Sequence, residues 1–182
     1  MPAKAQADIA LGHPGIRRDD ADYYAVAVMN MILGRFAMGG RLGHSVREEQ
    51  GMAYYTFSTF DASFGPGPFV VRAGVHPDNV DAAIDSIVTE LQRIRTEAVS
   101  ENELEDATSA LIRSLPRALE TNEGLATTLH TIEQFDLGLD YLERYPRLIG
   151  EITVDDVMAA ARDHIHLGRF GVSIAGPYSE SS

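Results

Sequence analysis

The sequence contains no cysteine, and Lys4 is the one lysine among its 182 residues. The absence of cysteine excludes disulfide bonds and thiolate metal ligands. No apolar run approaches the roughly 20 residues that a membrane-spanning helix requires. The first residues also lack the long apolar core of a secretion signal. We therefore predict a soluble, cytoplasmic chain with no membrane partner.

Positive charge is scarce relative to negative charge, and the formal net charge is −12 at pH 7. A surface of this sign repels a phosphate backbone, so nucleic acid is not expected as a partner. The length is sufficient for one well-cored domain. No linker, composition shift or internal repeat divides it, which predicts a single domain over residues 1–182.

Familiar catalytic motifs are also missing. Neither His-x-x-Glu-His nor His-Glu-x-x-His occurs, and no Gly-x-Ser-x-Gly elbow is present. His164 and His166 are two residues apart, on opposite sides of a helix or on one side of an extended segment. Zinc takes three or four ligands, and none is evident beside these two. We therefore predict no metal site in this chain.

The apolar patterns predict strands and helices in a mixed order. Strands are expected at residues 6–13, 54–62, 69–76 and near the C-terminus, because apolar residues alternate there or β-branched and aromatic residues cluster. A nearly all-apolar helix is expected at residues 21–33, buried on almost every side. The order predicts an α+β fold, with one mainly antiparallel sheet and helices packed on one face.

Several helix signals are local. Ser100 with Glu103, and Thr153 with Asp156, have the spacing of capping boxes. The acidic residues of the first of these helices are expected to form a solvated face that complements the helix dipole: Glu101, Glu103, Glu105 and Asp106. A helix starting at Thr121 is expected to turn Leu125, Leu129 and Ile132 inward.

The stretch from Gly39 to Tyr54 carries the residues suited to chemistry on a carbonyl group. A short helix is expected from about Arg41 to Gln50, with a break at Gly51. Arg47 is a permanent cation with a planar set of donors, and Tyr54 is a neutral phenol donor. A turn at Gly51 would point both side chains into one cleft.

This stretch resembles the segment Gly-Gly…Arg-Leu…Arg-Glu…Gly-Leu-Ala-Tyr in the second half of zinc peptidases related to pitrilysin, insulysin and mitochondrial processing peptidase. The resemblance extends over nearly the whole chain through shorter matches: the Gly12–Gly15 turn, the helix ending at Gly34, the Glu101…Leu104 helix start, Ile152–Val157, and Ala175–Pro177. The sequence departs from the pattern at Gly40, where serine is common, and at Met52, where leucine is usual.

The resemblance implies a processing-peptidase-like fold and a shared active site. Proteins of this family have two similar halves that close around an unfolded peptide, and the first half normally holds zinc. The second half supplies an arginine and a tyrosine across the cleft, which correspond to Arg47 and Tyr54 as catalytic groups. By the same resemblance, the glycine-rich segment lies near the peptide path, with Gly39, Gly40, Arg41 and His44 as substrate-binding residues.

The expected cofactor is therefore zinc held by a partner half, with none bound by this chain, and the isolated chain is expected to be inactive. Two alternatives stay open. A solvated helical histidine is the commoner outcome for a residue such as His44, and the alternative to the peptidase half is a non-catalytic peptide-binding or scaffold subunit of the same fold. A homodimer is a further possible assembly.

Overall fold

One antiparallel sheet organises the structure, which is a computed structural model that describes residues 6–35 and 40–178. Its four strands lie in the order β2-β3-β1-β4. They are β1 (Ala7–Pro14), β2 (Ala53–Phe60), β3 (Pro68–Val75) and β4 (Gly171–Ala175). All neighbours pair antiparallel, and the β2–β3 hairpin predicted from the sequence is confirmed.

The sheet buries one face. Along β1, buried residues alternate with half-buried ones up to the exposed Pro14, and the inward side chains of β3 are completely buried. Ile9 pairs with Ala73 and Leu11 pairs with Val71 across these two strands. Because residues directly opposite each other point to the same face, these apolar side chains form one continuous layer.

Six α-helices accompany the sheet in the described part of the chain. They are α1 (Tyr23–Asn30), α2 (Val80–Thr96), α3 (Glu101–Leu119), α4 (Asn122–Gln134), α5 (Tyr141–Gly150) and α6 (Val154–His164). Helix α1 continues into a wider π-helical turn at Met31–Arg35. It packs against β2 and against α3, α5 and α6, which confirms the prediction that this apolar helix is buried on nearly every side.

Both predicted capping boxes are present. The Ser100 hydroxyl accepts from the backbone N–H of Glu103, and the Glu103 carboxylate accepts from the backbone N–H of Ser100. Thr153 and Asp156 make the same reciprocal bonds at the start of α6. Each box satisfies two N–H groups that the first turn of a helix leaves without intrahelical partners.

The predicted orientation of α4 is wrong for two of its three apolar residues. Ile132 is buried, but Leu125 and Leu129 are 41% and 53% exposed. The helical spacing of the three residues is correct, and it places them along one side. Helix α4 packs chiefly against α3, so only the C-terminal part of its apolar stripe reaches the core. The α+β fold itself is confirmed.

Candidate functional site

A short helix flanked by glycines precedes the edge strand β2. Residues 41–42 are α-helical and Gly43–Glu49 form wider π-helical turns, and we call residues 41–49 the glycine-flanked helix. Leu42 and Val46 are completely buried and anchor it to the core, whereas His44 is exposed. The His44 N–H donates to the carbonyl of Gly40 at 3.0 Å. The helix therefore has a fixed inner side and an outward histidine.

Glycines set both ends of this helix. Gly51 has φ of +62°, a left-handed conformation that glycine adopts without steric cost, and this confirms the predicted break. At the other end, a Cβ on Gly40 would lie 2.9 Å from the Cα of Gly34. The two backbones thus approach too closely for a side chain at position 40. This contact gives a physical reason for glycine at position 40, where the zinc peptidases that the sequence resembles commonly have serine.

Arg41 is held by an ion pair with α3. Its Nε donates to Glu103 Oε1 at 2.7 Å and its Nη2 donates to Oε2 at 3.1 Å, which is a bidentate arrangement. The Nη1 atom is buried and has no hydrogen-bond partner among the described residues. The guanidinium, with its hydrogen bonds to the carboxylate, lowers the pKa of Glu103 to about 2. Arg41 therefore joins the glycine-flanked helix to the first turn of α3.

This contact corrects one prediction from the sequence. Glu103 was expected on a solvated acidic face, but it serves the capping box and the ion pair together, and its side chain is only 34% exposed. The local pattern showed the cap. The second partner lies 62 residues earlier in the chain, which no helical spacing could reveal.

Tyr54 lies in a β-bulge at the start of β2. Ala53 pairs with Val75 and Tyr55 pairs with Gly74, so Tyr54 is an extra residue between two adjacent rungs. Ala53 and Thr56 are buried, whereas Tyr54 and Tyr55 are 58% and 36% exposed. A bulge breaks the alternation of a strand and redirects side chains in this way. The proposed phenol donor is thus presented to solvent directly after the glycine-flanked helix.

The neighbouring Tyr55 crosses the sheet. Its hydroxyl donates to Asp8 Oδ1 at 2.7 Å, and Gln6 Nε2 donates to the same oxygen at 2.7 Å. Its ring lies above Gly74, where a Cβ would come 2.4 Å from Tyr55 Cε1. Partial burial, followed by the hydrogen bond to Asp8, raises the pKa of Tyr55. Sequence reasoning did not identify this residue, although paired tyrosines at a strand start were visible.

Two predicted site residues fall partly or wholly outside the described residues. The backbone of Arg47 belongs to the glycine-flanked helix, but its side chain lies outside the described part of the structure, and Gly39 lies outside it altogether. The expectation that Arg47 and Tyr54 meet in one cleft therefore stays a prediction, as do the substrate-binding roles of Gly40, Arg41 and His44.

The histidines considered as metal ligands have structural partners. His164 Nε2 lies 2.5 Å from Asp22 Oδ2, and the N–H of His166 donates to His13 Nε2 at 3.3 Å. His13 is buried and donates from Nδ1 to the carbonyl of Pro14. Burial lowers the pKa of His13, in keeping with a neutral ring that uses one nitrogen as donor and the other as acceptor. Within residues 6–35 and 40–178, no group of three or more His, Asp or Glu side chains is placed to hold a metal.

Arg18 forms a buried contact that sequence reasoning missed. It is 7% exposed, its Cζ lies 3.8 Å from the ring centroid of Tyr23, and Phe135 lies within 5.9 Å. Its Nη2 donates to the hydroxyls of Tyr24 and Tyr141 at 3.4 Å and 3.3 Å. Through these aromatic contacts, Arg18 links the loop that precedes α1 with helix α5. The contact stabilises the fold and is remote from β2 in sequence.

The fold and the described residues define the class of the protein. An antiparallel sheet with helices on one face presents a tyrosine at a bulge, and its described histidines and carboxylates form no metal centre. Residues 1–111 match the family model of the peptidase M16 inactive domain. The chain belongs to this family of zinc proteases, as its zinc-free domain.

Individual relatives agree with this assignment. A Streptomyces coelicolor protein described as an uncharacterized zinc protease is 33% identical over 181 residues, covering 96% of this chain and 38% of that protein. A Bacillus subtilis protein described as a probable inactive metalloprotease is 26% identical over 141 residues, covering 78% of this chain and 32% of that protein. The chain thus spans less than half of the curated relatives it matches.

A solved structure matches the fold over nearly the whole of this chain. The crystal structure of a peptidase M16 inactive domain from Pseudomonas fluorescens superimposes with a TM-score of 0.89 at 29% identity, covering 99% of this chain and 42% of that one. Among the described residues, no helix is both long and apolar enough to cross a membrane.

Proposed function

We propose that this chain is the non-metal-binding half of a zinc-dependent endopeptidase and that it closes over an unfolded peptide bound to a zinc-bearing half. The observation that carries the proposal is the exposed Tyr54 of the β-bulge, in a domain of the M16 family whose described residues offer no metal ligand set. The cofactor would be zinc held by the partner half. The isolated chain would cut nothing.

Tyr54 would act on the oxygen of the peptide carbonyl. Negative charge builds on this oxygen when water attacks the carbonyl carbon, and a phenol O–H directed at it stabilises the transition state more than the ground state. Arg47 would hold substrate carbonyls with its planar set of N–H donors. Zinc, when bound by the other half, supplies the activated water and shares the charge on the oxygen.

The glycine-flanked helix would border the peptide. Gly39 and Gly40 would lie beside the peptide path, and His44 lies on the exposed side of this helix. Arg41 would contribute to substrate binding together with its ion pair to Glu103, which fixes the helix against α3. Because several proposed substrate-binding residues lie on the glycine-flanked helix, the position of this helix relative to β2 would determine the width of the peptide path.

The zinc-bearing half is proposed as a segment of the same protein or as a separate subunit. The curated relatives named above are more than twice as long as the segment they share with this chain. The additional length in those proteins is sufficient for a second half of similar size. Self-association into a homodimer and a cytoplasmic location stay predictions.

The experiment combines this chain with its zinc-bearing half and follows cleavage of an unfolded peptide. Tyr54→Phe removes one hydroxyl, and a lost donor of this type typically lowers kcat by roughly a hundred- to a thousandfold. Arg47→Ala is expected to lower kcat/KM. Tyr178→Phe is the matched control, since it also removes a tyrosine hydroxyl, one that donates to Asp81 of α2 at 2.8 Å. Full activity of both Tyr54→Phe and Arg47→Ala would contradict the catalytic proposal.

A second candidate function is a non-catalytic peptide-binding or scaffold subunit. It is favoured by the similarity to a protein described as a probable inactive metalloprotease. The coding sequence beside this domain separates the two candidates, because a zinc-bearing half would carry His-x-x-Glu-His. A neighbouring half without that motif, together with peptide binding but no cleavage, would favour the scaffold.

A further inference from the structure

The β-bulge at Tyr54 has two consecutive exposed tyrosines, and the bulge alone does not determine which of them projects. Among the described strands, β2 lies at the edge of the sheet and pairs with β3 alone. The buried Ala53 and Thr56 fix the register of β2 on either side of the bulge, but they do not distinguish between the two tyrosines that lie between them. A shift of the bulge by one residue would exchange the positions of Tyr54 and Tyr55. Some other contact must fix the bulge at Tyr54.

A row of three residues across three strands provides this contact. Tyr55 on β2 pairs with Gly74 on β3, and Gly74 pairs with Asp8 on β1. The Tyr55 side chain spans the full row, because its hydroxyl donates to Asp8 Oδ1 at 2.7 Å. Two interstrand spacings separate the outer strands by roughly 10 Å, so the ring must lie flat over the middle strand.

Gly74 makes this path possible. A Cβ at position 74 would lie 2.4 Å from Tyr55 Cε1 and 2.9 Å from Cδ1, so any other residue would occupy the space of the ring. The ring in turn covers a backbone that has no side chain of its own. Gly74 is consequently buried in the middle of an otherwise half-exposed row. Ring and glycine are complementary in shape.

We infer that Tyr55, Gly74 and Asp8 form a cross-strand clamp that positions Tyr54. This inference rests on the proposed role of Tyr54 in transition-state stabilisation. Tyr55 is a positioning residue and touches no substrate. The clamp holds Tyr55 on the sheet, which leaves Tyr54 as the extra residue of the bulge and directs its hydroxyl away from the strand pairing.

The test is a double-mutant cycle in the complex of this chain with its zinc-bearing half. Tyr55→Phe keeps the ring and removes its bond to Asp8, and we expect kcat to fall by roughly 3- to 10-fold with KM unchanged, the effect of one hydrogen bond. Asp8→Ala should have the same effect, and Asp8→Asn, which keeps an acceptor oxygen, should restore most of the rate. In a Tyr54→Phe background, Tyr55→Phe should cause no further loss.

A second measurement does not depend on activity. In the chain labelled with ¹³C at tyrosine, the ring resonances of Tyr54 should shift in Tyr55→Phe and in Asp8→Ala but not in Asp8→Asn. Tyr178→Phe is the control, since it removes another tyrosine–aspartate hydrogen bond and should leave Tyr54 unchanged. Gly74→Ala, which displaces the ring, should shift them furthest, and Tyr55→Phe carries the test if that variant does not fold.

The outcomes separate the two proposals. A large loss in Tyr54→Phe with unchanged kcat and unchanged Tyr54 resonances in Tyr55→Phe would overturn the clamp and leave the proposed function intact. A further loss from Tyr55→Phe in the Tyr54→Phe background would also overturn it, because Tyr55 would then act independently. Full activity of Tyr54→Phe would overturn the proposed function, and the clamp would lose its role in catalysis.

Discussion

Arg41 and Tyr54 lie near the two ends of one sequence stretch, but the fold uses them differently. Arg41 is 14% exposed, and two of its nitrogens donate to Glu103. Tyr54 is 58% exposed and lies outside the regular pairing of β2. Residue type alone suggested that both were available to a peptide. The difference shows that Arg41 joins the glycine-flanked helix to α3, whereas the bulge presents Tyr54 to solvent.

Replacing Arg41 tests this comparison most strongly. In Arg41→Ala we expect the free energy of unfolding to fall by about 2 kcal/mol, since Glu103 is left half-buried and without its cation. Urea unfolding of the chain measures the change. Arg17→Ala is the matched control, because Arg17 makes an equally short bidentate pair with Asp19 that is exposed on both sides. That variant should lose less than about 0.5 kcal/mol. Equal losses would remove the distinction between the two pairs.

Acid should weaken the ion pair between Arg41 and Glu103, and the expected loss in the free energy of unfolding is smaller than in Arg41→Ala. The pKa of Glu103 is about 2 in the folded chain and near 4.5 in the unfolded chain, so its contribution is complete above pH 4.5 and disappears as the pH falls towards 2. Because a third of the Glu103 side chain is exposed, solvent screens the ion pair. This screening limits the contribution of the ion pair to the free energy of unfolding to about 1 to 2 kcal/mol.

The measurement is the difference in unfolding free energy between the native chain and Glu103→Gln as a function of pH. Glutamine keeps the capping box but replaces one acceptor oxygen of the ion pair by an NH₂ group, so the part of this difference that changes with pH isolates the charge. We expect it to be largest near neutral pH and to vanish near pH 2. A difference that does not change with pH would show that the carboxylate contributes through its hydrogen bonds alone.

Tyr54→Phe should have the smallest effect on stability. An exposed substitution that preserves the ring normally changes the free energy of unfolding by less than about 0.5 kcal/mol. Thermal unfolding of the variant checks this, alongside the activity measurement proposed above. A loss above about 1 kcal/mol would mean that the Tyr54 hydroxyl supports the fold, and any loss of activity in this variant would need another explanation.

Much of the fold could be predicted from the sequence because its signals are local. The Ser100–Glu103 and Thr153–Asp156 spacings indicate helix starts, and Gly51 indicates a break, since each depends on residues within one turn. The nearly all-apolar composition of α1 indicates burial on most sides. Such patterns require no knowledge of the rest of the chain.

The contacts between residues far apart in the sequence were not predictable in this way. Arg41 meets Glu103 over 62 residues, Tyr55 meets Asp8 over 47 residues, and Arg18 meets Tyr141 over 123 residues. Each is set by how strands and helices pack, and any of several acidic or aromatic residues satisfied the sequence pattern equally well. The bulge at Tyr54 was missed for a related reason, because tyrosine is found on both the buried and the exposed side of strands.

The aromatic surrounding of Arg18 should respond to acid differently from the ion pair between Arg41 and Glu103. Its described partners are phenols and aromatic rings, which gain no proton between neutral pH and pH 2, and burial raises the pKa of Tyr141 further. The connection from the first loop to α5 therefore persists after the Glu103 carboxylate has been neutralised. Acid should therefore weaken the link between the glycine-flanked helix and α3, while Arg18 and its aromatic partners keep their charge state.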